Sequence, residues 1–146
     1  MEKEFCTYSQ ALRLKALGFD EPCFANYTVI PEDEIDWFTI PGQGITGKTS
    51  FGSSKNYNSK SFEEEGTISA PTYSAAFRWF RDEYGLFVRP AAISYEDGPY
   101  LWFFEINSTT LPFGTDLGET DDFTTYEEAE LACLDKLIEI VESKSE

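Results

Sequence analysis

A chain of 146 residues with 41% hydrophobic content has the size of one domain, and folding at this length buries about 68–70% of the surface that the unfolded chain exposes. Its 27 acidic and 11 basic residues give a formal charge of −16, a field that repels phosphate backbones and anionic lipid and so argues against nucleic acid and membrane surfaces as partners. There is no histidine, which removes the commonest general base, the usual partner of a serine or cysteine nucleophile and the commonest transition-metal ligand.

Taken in chain order, the start MEKEFCTYSQ has acids beside its lysine and no apolar run of leader length. The expected location is cytoplasmic. No stretch approaches the roughly 18 apolar residues of a membrane span. Cys6, Cys23 and Cys133 are odd in number and widely spaced, so they read as small buried hydrophobes rather than as a disulfide framework or a zinc clip.

Thr7-Tyr8-Ser9-Gln10-Ala11, Thr72-Tyr73-Ser74-Ala75-Ala76 and Thr125-Tyr126-Glu127-Glu128-Ala129 open alike. Each threonine predicts a helix N-cap, and Gln10 and Glu128 sit where a capping box closes. The first helix is expected to reach about Leu17 and stop at Gly18. The second, through AAFRWFRDEY, stops at Gly85, each glycine suiting a left-handed position. In the second helix Phe77 and Phe80, or Trp79, face the core, which leaves Arg78 and Arg81 as solvated charges. The third, through about Val141, carries Ala129, Ala132 or Cys133, Leu137 and Ile140 or Val141 on one stripe.

Between the helices lie four runs of strand composition: CFANYTVI (23–30), IDWFTI (35–40), LFVRPAAISY (86–95) and YLWFFEI (100–106). The last two are joined by Glu96-Asp97-Gly98-Pro99, which predicts a hairpin. Pro90 demands an edge or a bulge for its strand. The order α-β-β-α-β-β-α predicts an α+β fold: one domain, residues 1–146, with a small antiparallel sheet and three helices packed mainly on one face. Residues 41–67 and 107–124 are expected to be irregular insertions.

PGQGITGKTS (41–50) satisfies a P-loop pattern at Gly42, Gly47, Lys48 and Thr49, and a dinucleotide pattern at Gly42, Gly44 and Gly47. A phosphate loop needs a helix that begins at its lysine, so that aligned backbone dipoles meet the anion. The chain continues instead as SFGSSKNYNSKS, with a glycine, two asparagines and five serines, and no alternating strand-helix unit surrounds it. Nucleotide binding is rejected on that ground, and no cofactor is expected. Residues 41–60 hold three lysines and no acid, whereas 116–146 hold eleven acids and two lysines. The lysine loop could dock on the acidic face, reach an anionic partner or stay mobile.

The carboxylate pairs Glu96-Asp97, Asp121-Asp122 and Glu127-Glu128 read as solvated turn and helix-start charges rather than a glycosidase pair. DLGETDD (116–122) lacks the order of an EF-hand loop, so no metal site is expected. The aromatic share of 16% exceeds what core filling calls for, and some rings should lie on a binding surface. Trp37 and Phe38 are candidates. So are Tyr100, Trp102 and Phe104, because aromatics occupy both faces of their strand.

CTYSQALRLKALGFDEPCF (6–24), APTYSAAFRWFRDEYGL (70–86) and TTYEEAELACLDKLIEIV (124–141) together resemble a set of small uncharacterised proteins of gut bacteria and their phages, with no established activity. The resemblance implies a mobile-element context, in which short acidic proteins often bind and block, or assist, a larger host or virion protein. The expected function is therefore a non-enzymatic module that binds a protein partner through exposed aromatics and an acidic surface. The alternative is an acidic inhibitor that imitates nucleic acid. Self-association is left open.

Overall fold

Thr7 caps the first helix as its spacing predicts. Its hydroxyl accepts from the Gln10 backbone N–H at 3.2 Å, and its own N–H donates to the Gln10 side chain at 3.0 Å. A computed structural model of the chain describes residues 2–30, 35–39, 55–59, 66–112, 115 and 117–144, and these divide between two compact units, Met1–Thr72 and Tyr73–Glu146. Among the described residues no helix is long and apolar enough to cross a membrane.

In the first unit a short 3-10 turn, Glu2–Glu4, precedes α1, Tyr8–Ala16. Gly18, at φ 96°, ends α1, and the Phe19 N–H bonds back to the Leu14 carbonyl at 3.0 Å. Three strands come next: β1, Asn26–Ile30, β2, Ile35–Thr39, and β3, Thr67–Ser69. They form an antiparallel sheet in the order β2-β1-β3. Phe5, Ala25 and Ala70 form a buried cluster with Tyr27 of β1 packed against it, and the Tyr27 hydroxyl donates to the Cys6 carbonyl at 2.7 Å.

Within the stretch 41–67, expected to be irregular, residues 55–59 are held by backbone and side-chain hydrogen bonds. Residues 55–59 are clipped on by Cys23 and Lys55, which bond through their backbones in both directions, and by Asn58. The Asn58 amide donates to the Phe19 carbonyl and accepts from the Ser69 N–H. Residues 40–54, hence the whole Gly42, Gly47, Lys48, Thr49 pattern, lie outside the described residues.

In the second unit α2, Tyr73–Tyr84, buries Tyr73, Ala76, Trp79 and Phe80, while Arg78 and Arg81 are exposed, as the helical spacing requires. The hairpin is β4, Leu86–Ser94, paired antiparallel with β5, Tyr100–Ser108. α3, Tyr126–Lys144, buries Ala129, Cys133, Leu134, Leu137, Ile138 and Val141 on one stripe. At its start the Glu128 N–H bonds the Thr125 hydroxyl, which donates in turn to the Glu128 carboxylate.

The α+β class and the antiparallel pairing are as expected, but the strands form two sheets rather than one. β1 has both edges taken, by β2 and by the unforeseen β3. One edge of β5 belongs to β4, and the other is taken by residues 118–123, part of the stretch expected to be irregular. The Ile106 N–H bonds the Gly118 carbonyl, Thr120 N–H the Phe104 carbonyl, and Trp102 and Phe123 bond each other in both directions.

Candidate functional site

The hairpin places Tyr100, Trp102 and Phe104 on one face, because alternate residues of a strand share a side. Burial along that column is graded. Tyr100, beside the turn, is 65% exposed, Trp102 is half-buried and Phe104 is 1% exposed. Phe104 is therefore a core residue, and it leaves the set of candidate contact rings: its ring meets Phe77 at 5.8 Å and Tyr126 at 5.4 Å between centroids, so a partner has no access to it.

Trp102 meets the same Tyr126 edge-on at 5.3 Å and 82°, an arrangement in which the positive edge of one ring faces the negative face of the other. Trp102, Tyr126 and Phe123 are all half-buried. With Tyr100 they make an aromatic surface at the turn end of the hairpin and the start of α3. Tyr126 links it to the core.

Asp121 and Asp122, which precede Phe123 in the chain, owe their position to a register change. Phe104 is bonded through Thr120, and Trp102 through Phe123. Three residues therefore step from 120 to 123 while two step from 104 to 102. One extra residue is accommodated at Asp121-Asp122, which is a bulge opposite Phe103, and bulges bend a chain and re-aim its side chains. Both aspartates are exposed. The buried hydroxyl of Thr120 accepts from the Phe104 N–H at 2.9 Å, so no backbone donor is orphaned where the register slips. Lys136 Nζ donates to the Glu119 carbonyl at 2.6 Å and ties the segment to α3.

The acidic field reaches the rings. Burial, first, and then the charges of Glu130, Cys133 and Glu127 push the Tyr126 phenol above its ordinary range. Arg89 pairs with Glu105 on the other face of the hairpin, while Lys136 bonds the backbone carbonyl of Glu119 in the segment that carries the two aspartates. Asp121, Asp122 and Glu127 make no ion pair among the described residues.

Trp37 and Phe38 belong to β2 of the first unit, where they pair with Thr28 and Tyr27, and the description of both stops at the backbone. The other three candidates share one strand. Sequence reasoning missed Tyr126 and Phe123 as parts of the surface, since Tyr126 reads as a helix start and Phe123 as a loop residue. It weighed the pair Asp121-Asp122 only as catalytic or metal-binding carboxylates. The pairs Glu96-Asp97, Asp121-Asp122 and Glu127-Glu128 are exposed throughout, and among the described residues no group of three or more Asp, Glu or Cys is placed to hold a metal ion. Comparison with family models, with curated proteins and with solved structures gives no match to this chain.

Proposed function

We propose that the protein is a non-enzymatic binding module that engages a protein partner in the cytoplasm through the aromatic surface around Tyr100 and Trp102. The mobile-element setting implied by the sequence resemblance belongs to the same proposal. The observation that supports it is the ring at Tyr100, 65% exposed and next to a half-buried tryptophan on a paired strand. An apolar ring held in water by a rigid scaffold is the usual form of an interface anchor. The flanking acids supply orientation and encounter rate, and the charge of −16 disfavours nucleic acid and anionic lipid as the target.

The test is affinity capture from the native host, with wild type and Tyr100→Ala as paired baits at equal loading. The proposal expects a protein retained by wild type and reduced at least about tenfold on the variant, the loss typical of an interface anchor. Capture profiles that are the same for both baits contradict it. Retention that disappears steeply with salt for both baits alike points instead to imitation of nucleic acid by the acidic surface.

A further inference from the structure

The two edges of β5 are held very differently. β4 pairs with one of them along nine register positions, from Leu86↔Ser108 to Ser94↔Tyr100. Residues 118–123 bond the other at Ile106, Phe104 and Trp102, with the register slipping between the last two. Thr120 is the one buried residue of this segment, Phe123 is half-buried, and Glu119, Asp121 and Asp122 are exposed. A segment with so little buried apolar surface opens at a lower free energy than the core it rests on.

Its charge opposes docking as well. Glu119 stands directly opposite Glu105, and like charges facing each other across a strand pair destabilise the pairing. Arg89 reaches Glu105 from the β4 side, whereas the Glu119 carboxylate makes no ion pair among the described residues. The Lys136 amine is given to the Glu119 backbone carbonyl.

We propose that residues 118–123 are a detachable strap, which leaves the β5 edge as a unit while the β4–β5 hairpin stays paired, and that the facing pair Glu105 and Glu119 sets how readily it leaves. While docked, the strap occupies the N–H and carbonyl groups that an added strand would seek. Undocked, it opens that edge to pairing.

Residue-resolved hydrogen exchange of the full chain at neutral pH tests this, because successive amides of β5 point to opposite edges. Those of Trp102, Phe104 and Ile106 point to the strap, and those of Phe103 and Glu105 point to β4. The first three are expected to exchange at least about tenfold faster than the other two, at rates that move together as urea is added. Glu119→Gln removes the like charge and should slow the three about twofold, leaving Phe103 and Glu105 unchanged. Thr120→Val should speed all three about tenfold.

Equal protection of the two sets overturns the strap, since the segment then leaves only when the hairpin opens. Acceleration of Phe104 alone in Thr120→Val also overturns it, because the hydroxyl then serves one amide and not a unit. No slowing in Glu119→Gln overturns the control assigned to the glutamate pair. If Thr120→Val loses the fold, seen as fast exchange at Phe103 and Glu105 too, wild type and Glu119→Gln decide the matter. These readouts are taken without a partner, so they stand or fall apart from the role of Tyr100.

Discussion

Trp102 and Phe123 exchange backbone hydrogen bonds in both directions, at 2.7 and 2.8 Å, and this pair converts a loop into a third ribbon on the hairpin. Two residues before Phe123 the ribbon slips by one register position, and a single side chain, Thr120, makes good the lost backbone partner of Phe104. Phe123 and the two aspartates are placed by this short segment. Its stability is the first thing to test.

Thr120→Val keeps the shape but leaves the Phe104 N–H without its acceptor. An orphaned buried donor costs about 1–3 kcal/mol, so urea unfolding should register a loss of that size, and Thr120→Ser should recover most of it. A loss below about 0.5 kcal/mol for the valine variant would mean that the hydroxyl is dispensable.

The boundary between core and surface along β5 gives a contrast within one strand. Phe104→Ala removes a ring that is 1% exposed, which costs about 3–5 kcal/mol. Tyr100→Ala, on the same face, should change stability by less than about 0.5 kcal/mol. Equal losses at the two positions, measured by chemical denaturation, would show that Tyr100 contributes to packing and is not held in reserve for a partner.

Much of this arrangement was legible in the sequence because local chemistry decides it. Thr7 and Gln10 form the box that their spacing announces. Gly85, at φ 66°, ends α2 where a glycine was expected to, and a side chain there would also meet the Thr109 hydroxyl. Leu137 and Val141 are buried at helical spacing. Pairing without periodicity escaped. β3 has three residues, too few for alternation to show. Gly118-Glu119-Thr120-Asp121-Asp122-Phe123 has a polar composition and joins β5 through backbone bonds and one hydroxyl. The expectation of a single sheet failed for the same reason, since both hidden partners occupy edges that another strand needs to join.

Pro90 illustrates how edge chemistry acts on self-association. It stands opposite Phe104, whose N–H and carbonyl are turned toward Thr120, so the ring nitrogen of Pro90 faces the outer edge of β4. A donor is missing where a second strand would seek one. Pro90→Val restores that donor and should promote concentration-dependent dimerisation in sedimentation analysis, and wild type should show none through this edge. Identical sedimentation of the two proteins at high concentration would remove the role assigned to the proline.

The three cysteines are buried, as their spacing suggested, and this carries a pH signature. Burial, first, pushes Cys23 and Cys133 from 9.0 to about 12, with nearby acids adding to it, and burial and Cys23 raise Cys6 as well. Above pH 9 the unfolded chain releases these protons while the folded chain keeps them. Unfolding is then favoured as pH rises. Stability is full below the ordinary thiol value and falls toward pH 12 by up to about 1.4 kcal/mol per pH unit for each thiol. Unfolding free energies measured between pH 8 and 10 should decline above 9, and a flat profile contradicts the burial of the thiols.

Tyr100 and Trp102 should be the surface that a partner covers. Oxidative footprinting of the chain, alone and with its captured partner, reads this residue by residue. Tyr100 and Trp102 should be modified in the free protein and protected in the complex, with Phe104 unreactive in both. Unchanged reactivity of Tyr100 and Trp102 in a complex that has demonstrably formed would place the interface elsewhere and contradict the account.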